Sequence, residues 1–213
     1  MRQVNEEDSE KGKKKMTFLE CGIYEAYHSL ELKDYQGNVP TDAMRIVKKY
    51  IVRVVEMRQK GLGLFFWGSA GTGKTGLMIE VLKGAVRAGL RCQFASLGGL
   101  IQKFAEGWYS MESRQEFFEQ VRGVDMLAID DIGKELETKN GIEIVVFDNA
   151  LRYRSMRNRP TLLTSNLSPK EIEKRYSEFI VSLMREKMVP VHLDGADFRL
   201  KIAQKNIKEF MNG

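Results

Sequence analysis

The stretch GSAGTGKT at residues 68–75 restricts this chain to few folds, because three glycines in eight residues are costly to order and pack poorly. It follows the apolar run LGLFFW and precedes a predicted helix over 74–88. It matches the pattern G-x-x-x-x-G-K-[ST], in which backbone N–H groups and a helix N-terminus surround phosphate oxygens. A glycine-rich turn that matches by chance is the alternative, and the order of strand, loop and helix disfavours it.

The motif predicts a role for its polar residues. Lys74 is expected to reach the β- and γ-phosphates of ATP, and Thr75 is expected to ligate Mg²⁺. ATP and Mg²⁺ are therefore the predicted cofactors. The predicted nucleotide-binding residues are Gly68, Ser69, Ala70, Gly71, Thr72, Gly73, Lys74, Thr75 and Gly76.

Polar residues end two further apolar runs. MLAIDD at 126–131 ends in Asp130, expected to hold Mg²⁺, and Asp131, expected to orient or deprotonate the attacking water. A turn-capping role is the alternative for Asp131. LLTSN at 162–166 ends in Asn166, which we expect to face the γ-phosphate because the carboxyl ends of parallel strands share one sheet edge. An ordinary residue in a turn after the strand is the alternative for Asn166.

Predicted strands alternate with predicted helices, a pattern typical of an α/β fold whose parallel sheet is covered on both faces. A helix over 41–59 is expected to begin with Thr41 as its N-cap. The other predicted helices cover 74–88, 97–106, 111–122, 139–156, parts of 169–187 and a segment from 197, and the predicted strands cover 62–67, 91–96, 125–131, 160–166 and 189–193.

Composition narrows the classes of partner. The net charge of +5 and the pI near 9.1 permit a nucleic-acid partner, and RYRSMRNRP at 152–160 holds four arginines and no acid. The chain has two cysteines and two histidines, too few and too scattered for a disulfide framework or a zinc site. No run is long enough for a membrane span, so we expect a cytoplasmic protein.

Taken together, GSAGTGKT, MLAIDDIG, PTLLTSN and the later GADFR resemble AAA+ helicase loaders of the DnaC/DnaI type, with the ATPase subunits of certain transposases as close relatives. The resemblance covers roughly residues 30 to 205. It implies a P-loop AAA+ domain over 41–213 with a parallel five-stranded sheet and a reduced C-terminal lid, preceded by a flexible tail over 1–40 that could bind a partner. In the lid, Arg199 matches a phosphate-contacting arginine.

The resemblance also implies what the protein acts on: an ATP-dependent homo-oligomer that engages single-stranded DNA and loads or remodels the replicative helicase. The segment 97–122 matches a helical element that lies near DNA in this group. It holds Lys103, Trp108, Tyr109 and Arg114, and aromatic residues beside basic ones suit single strands. The alternative is that Trp108 and Tyr109 are core anchors.

The sequence departs from the group at one catalytic position. Leu183 stands where these proteins usually carry an arginine that acts on the nucleotide of a neighbouring subunit. Arg185, Arg175 and Arg154 are the candidate replacements. This departure leaves open an ATP-gated transposition helper or adaptor with little ATPase activity. A kinase built on the same loop is disfavoured, because the LLTSN strand fits an ATPase better.

Overall fold

A computed structural model describes residues 16–35, 37, 39–135, 141–195, 197–198, 207–208 and 210–211. Eight α-helices lie in these ranges: α1 (Thr41–Val52), α2 (Val54–Lys60), α3 (Lys74–Arg87), α4 (Leu97–Glu106), α5 (Met111–Phe118), α6 (Ile142–Ser155), α7 (Pro169–Arg175) and α8 (Glu178–Lys187). Five strands alternate with them: β1 (Gly63–Trp67), β2 (Cys92–Ser96), β3 (Met126–Ile132), β4 (Thr161–Ser165) and β5 (Met188–His192).

The five strands form one parallel sheet in the order β2-β3-β4-β1-β5, which confirms the predicted α/β fold. Because all strands run the same way, their carboxyl ends lie at one edge. The order places β1 directly beside β4, and β4 beside β3. The three segments predicted to carry the functional residues therefore end next to one another.

The sheet is covered on both faces, as its nearly continuous apolar strands require. Side chains alternate along β1, so that Leu64 and Phe66 join the core on one face while Phe65 joins the core on the other. The first core includes α1, α3 and the segment before α1. The second core includes α4, α6 and α8.

The predicted helix over 41–59 is broken at Arg53, whose backbone leaves the helical region at φ −108° and ψ 21°. Four β-branched residues surround this position, and β-branching lowers helix propensity. The predicted N-cap is also wrong by one residue, since Thr41 is the first helical residue and Pro40 precedes it without a side-chain cap. The predicted helix over 111–122 ends at Phe118 and continues as one π-helical turn, Glu119–Gly123.

The tail predicted over 1–40 packs onto the domain over its described part. Four of its residues are buried in the first core: Cys21, Ile23, Tyr35 and Val39. The Phe94 N–H donates to the Cys21 carbonyl at 2.7 Å, and the buried Lys83 ammonium donates to the Leu30 carbonyl at 2.5 Å. From Met16 onward this segment therefore supplies core residues, while its predicted flexibility stays a prediction. Residues 1–15 lie outside the described ranges.

The described helices are all too short or too polar to cross a membrane. Cys21 and Cys92 are buried free thiols. Within the same ranges no three metal-ligating side chains of the His, Cys, Asp and Glu types cluster together.

Candidate nucleotide site

The loop between β1 and α3 depends on glycine for its shape. Gly68, Gly71 and Gly73 have φ values of 129°, 76° and 91°, a region that other residues rarely adopt. A Cβ on Gly68 would lie 2.2 Å from the Leu193 carbonyl oxygen, and one on Gly71 would lie 2.0 Å from a carboxylate oxygen of Asp197. The loop is therefore confined between β1 and the segment that follows β5.

Lys74 lies inside this loop. Its side chain is buried, and its ammonium donates to the carbonyls of Gly68 at 2.9 Å and Ser69 at 2.6 Å. The Thr72 hydroxyl donates to the Ser69 carbonyl at 2.8 Å and holds the loop closed from within. A charged ammonium is thus fixed at the N-terminus of α3, where the positive end of the helix dipole adds to the attraction for an anion.

The second half of the site is the Asp130 carboxylate with the two hydroxyls that contact it, those of Thr75 and Thr164. The Thr75 hydroxyl donates to the two carboxylate oxygens of Asp130 at 3.0 and 3.2 Å, and the Thr164 hydroxyl donates to one of them. Burial raises the pKa of Asp130, and the charge of Asp131 raises it further; the two hydroxyl donors act against this shift. A hydroxyl and a carboxylate in contact beside a phosphate-binding loop are oxygen ligands suited to Mg²⁺.

Asp131 lies in an irregular part of β3, where the register with β4 shifts between Ile129 and Ile132. Its φ of 57° is unusual for a residue with a side chain. Its N–H donates to the Thr164 hydroxyl at 2.8 Å, and its carboxylate pairs with Lys134 at 2.8 Å. The bulge turns two consecutive acids toward the same edge of the sheet. The structure thus brings Asp131 next to Asp130, while its predicted role stays a prediction.

Asn166 directly follows β4 and is half-buried, at the edge where Trp67 ends β1. The structure therefore places it where the sequence predicted, and its contact with phosphate remains a prediction. Arg199 lies outside the described residues. Its neighbour Phe198 donates its N–H to the Gly71 carbonyl at 3.0 Å, so the chain reaches the loop just before Arg199.

Two residues of the site were missed from the sequence. Thr164 bonds to both halves of the DD pair, and its position one residue before the end of β4 was the available signal. Tyr35 packs against the start of α3, and a Cβ on Gly76 would lie 2.0 Å from its hydroxyl oxygen. Gly76 thus has a packing reason to be glycine. Nothing in the pattern around Tyr35 indicated that contact.

The three candidate arginines have different environments. Arg154 is fully buried and donates five hydrogen bonds to residues of its own chain, so its suggested place at a subunit junction is wrong. Burial lowers the pKa of Arg154 to about 9, with Arg159 and Arg58 adding to the shift. The Arg175 guanidinium donates to the carboxylate of Glu135 and to the backbone carbonyl of the same residue. Arg185 is mostly exposed and pairs with Glu173 at 3.3 Å.

Two of the predicted nucleic-acid contacts, Trp108 and Tyr109, lie at the surface. Trp108 is 58% exposed and Tyr109 is 91% exposed, so the alternative that they are core anchors is wrong. The arginine-rich stretch divides: Arg154 is buried, Arg152 pairs with Asp148 at 2.6 Å, and Arg157 lies on the ring of Tyr153. Contact of these residues with DNA stays a prediction.

Three features define a P-loop ATPase domain of the AAA+ class: a glycine loop that surrounds a lysine, an acid at the end of β3, and a parallel sheet in which β4 lies between β3 and the strand β1 that precedes the loop. A model of the bacterial DnaA ATPase domain matches residues 39–186. The chain therefore belongs to the bacterial DnaA ATPase-domain family.

Individual relatives confirm the predicted resemblance. The chain is 24% identical over 174 residues to the replicative helicase loader DnaC of Escherichia coli strain K12, covering 81% of this chain and 70% of that protein. A crystal structure of the DnaC helicase loader superposes with a TM-score of 0.70 at 22% identity, over 80% of this chain and all of that one. The initiator DnaA bound to AMPPCP and single-stranded DNA gives 0.66 at 22% identity, over 88% and 56%.

Proposed function

We propose that this site binds ATP with Mg²⁺ and hydrolyses it. The observation that carries the proposal is the direct contact of Thr75 with Asp130, 3.0 Å apart, beside an ammonium held inside a glycine loop. The residues present fit the cofactors, because the half-buried Asp130 carboxylate is a ligand suited to a cation and the Lys74 ammonium at the N-terminus of α3 supplies the positive charge that phosphate requires.

Each residue has a defined task in this proposal. The loop N–H groups and the Lys74 ammonium bind the phosphates, so the ammonium exchanges its two carbonyl acceptors for phosphate oxygens. Thr75 and Asp130 hold the cation, which when bound neutralises phosphate charge. Asp131 orients or deprotonates the attacking water, Asn166 positions it and Arg199 contacts phosphate. The Thr164 hydroxyl keeps Asp130 aimed at Thr75 and fixes the Asp131 backbone.

Replacement of Lys74 by Ala tests the site. Titration of a fluorescent ATP analogue should show a loss of at least about tenfold in affinity, because a buried charge-assisted contact to phosphate disappears. Lys49→Ala is the matched control, since Lys49 is exposed on α1 and its loss changes the net charge equally. Wild-type affinity in the Lys74 variant would contradict the assignment.

For the whole protein we propose ATP-dependent loading or remodelling of the replicative helicase on single-stranded DNA, in the cytoplasm, by an oligomer that forms on ATP binding. The support is the family and the relatives, which are a helicase loader and an initiator seen with a nucleotide analogue and single-stranded DNA. These relatives favour a loader over a transposition helper. The test is a pull-down of the host replicative helicase by the full chain with and without ATP, with the Lys74 variant as control. Equal capture in all conditions would contradict nucleotide-dependent loading.

A second candidate is an adaptor that uses ATP as an assembly signal with little turnover. It is favoured by Leu183, which packs against the second core, together with Arg154 and Arg175, which are bound within their own chain. An arginine that acts on a neighbour's nucleotide contributes a large factor in rate where one is used. Steady-state hydrolysis with and without single-stranded DNA separates the two. Turnover near background in every condition, with intact ATP binding, would select the adaptor.

A further inference from the structure

The turn that follows β3 places a lysine at the edge of the sheet that carries the nucleotide site. Lys134 lies three residues after Asp131, and its ammonium is 2.8 Å from a carboxylate oxygen of Asp131. Its N–H donates to the Asp131 carbonyl at 3.3 Å, so the chain turns directly after the bulge of β3. Asp131 follows Asp130, whose carboxylate contacts Thr75 at the start of α3. Lys134 thus adds a cation beside the two acids of the site.

The turn is fixed on one side to the end of β4. The Ser165 hydroxyl donates to the Ile132 carbonyl at 2.7 Å and accepts from the Leu167 N–H at 3.0 Å. Gly133 has a φ of 89°, and a Cβ there would lie 2.5 Å from the Leu167 side chain. Glycine at this position therefore lets the turn approach the segment that carries Asn166.

The turn is fixed on its other side to α7 and the residue after it. The Glu135 side chain is only 2% exposed, and its carboxylate accepts from the Gly133 N–H at 2.8 Å and from the Tyr176 hydroxyl. The Arg175 guanidinium donates to the same carboxylate at 3.1 Å and to the Glu135 carbonyl at 2.7 Å. Lys134 therefore extends from a backbone that is held on both sides, while about half of its own side chain is exposed.

The charges at this edge favour a role for Lys134 in binding phosphate. Asp130 and Asp131 are consecutive acids, and each repels a phosphate group that approaches it. The Lys134 ammonium compensates one of these charges. Burial raises the pKa of Asp130 and the charge of Lys134 acts against that rise, so the field of the lysine reaches the carboxylate proposed to hold the cation. An ammonium has three N–H donors, and among the described residues Asp131 is the carboxylate that uses one of them.

The residues considered for action on a neighbouring nucleotide leave a place for such a cation. Leu183 packs against the second core and carries no charge. Arg154 is buried, and Arg175 holds the turn after β3. Arg185 pairs with a glutamate of α7 at 3.3 Å. Lys134, in contrast, lies beside the acid that we expect to orient the attacking water.

We propose that Lys134 binds the γ-phosphate of ATP in its own subunit and supplies the charge that related proteins obtain from a neighbour's arginine. The inference rests on the proposed function and adds a phosphate-binding residue to the same site. Such a contact distinguishes ATP from ADP, because ADP lacks the terminal phosphate. Because the contact is made within one chain, it needs no neighbouring subunit.

The test compares the affinities of the full chain for AMPPCP and for ADP in the presence of Mg²⁺, by displacement of a fluorescent ATP analogue. Lys134→Gln should weaken AMPPCP binding about tenfold and ADP binding less than about twofold, because a charge-assisted contact to the third phosphate is lost. Lys134→Arg keeps the charge and should retain most of the AMPPCP affinity. Lys170→Gln is the matched control, since Lys170 is exposed on α7 and its loss changes the net charge equally.

Several outcomes of this comparison would overturn the proposal. They are an unchanged AMPPCP affinity in Lys134→Gln, an equal loss for AMPPCP and ADP, and tighter AMPPCP binding, which would show that Lys134 competes with phosphate for Asp131. A wild type that binds neither nucleotide would contradict the proposed nucleotide site itself, so the two failures are distinguishable.

Two further measurements test the contact and its location in one chain. Acetylation of wild-type amines, followed by mass spectrometry, needs no variant: AMPPCP should lower the labelling of Lys134, and ADP should not. Equal labelling with both nucleotides would overturn the proposal. When Lys74→Ala protein is added to Lys134→Gln protein, AMPPCP binding should not recover. Recovery would show that the lysine acts on a neighbour's nucleotide and would overturn its assignment to its own subunit.

Discussion

Replacement of Arg154 by Met should destabilise the domain strongly, although this residue is far from the nucleotide. The guanidinium donates five hydrogen bonds of 2.8 to 3.2 Å inside the protein. Met fills similar volume but donates none. The groups that lose a donor are the carbonyls of Val121, Val124, Asp125 and Pro160 and the hydroxyl of Thr161.

The expected magnitude follows from these acceptors. A buried polar group left without a partner costs about 1–3 kcal/mol. The Pro160 carbonyl keeps a bond from the Leu127 N–H at 3.4 Å, and the Thr161 hydroxyl can rotate, so three carbonyls account for most of the loss. The Arg154→Met change also removes a buried positive charge, and the desolvation cost of that charge no longer lowers the stability of the folded state. The balance is a decrease of about 4 kcal/mol in the free energy of unfolding, or about 10 °C in the midpoint for a domain of this size.

The assay is unfolding by urea and by heat, followed by far-UV circular dichroism. Arg154→Lys should also be destabilised, because an ammonium has at most three donors and cannot reproduce the planar arrangement. Arg157→Met is the control, since Arg157 is exposed three residues away, and its loss should cost less than about 1 kcal/mol. An Arg154 variant as stable as the wild type that lost only ATP turnover in the assembled oligomer would refute this reasoning and restore Arg154 as an arginine acting between subunits.

Two further substitutions test the nucleotide site. Thr164→Val should lower ATP turnover about tenfold while the protein stays folded, because Asp130 loses a donor and the Asp131 N–H loses its acceptor. Thr164→Ser keeps the hydroxyl and should retain most of the turnover. Equal rates in both variants would contradict the role of the hydroxyl. Gly76→Ala should lower the free energy of unfolding by about 2 kcal/mol, because the new methyl group collides with the Tyr35 ring. Tyr35→Ala should then cost at least about 1 kcal/mol less in the Gly76→Ala protein than in the wild type. If the two changes in unfolding free energy simply add, the two residues are not in contact.

The sequence predicted the parts of the site that are local. The P-loop and the acids at the end of β3 are contiguous motifs. Their glycines and their apolar strand residues indicate the local backbone conformation directly. The order of the strands then brings them together, since carboxyl ends meet at one edge of a parallel sheet. Asn166 followed from the same rule.

The contacts that escaped prediction join segments far apart in the chain. The segment before α1 shows no helical or strand periodicity, so its sequence predicts a tail outside the core. Four of its residues are nevertheless buried: Cys21, Ile23, Tyr35 and Val39. Arg154 belongs to a stretch of four arginines that suggests a solvated surface, and only the fold shows that its side chain points inward to the turn before β3. Periodicity carries no information about such partners.

The anchoring of the segment before α1 sets a limit on where the protein can be shortened. The family match begins at residue 39, which invites a truncation there. Such a protein would lack the carbonyl of Leu30 that accepts from Lys83, leaving the Lys83–Glu80 pair open to water on the flank of α3. It would also lack the ring of Tyr35 that covers the first turn of that helix. A minimal ATPase domain should therefore start no later than Met16.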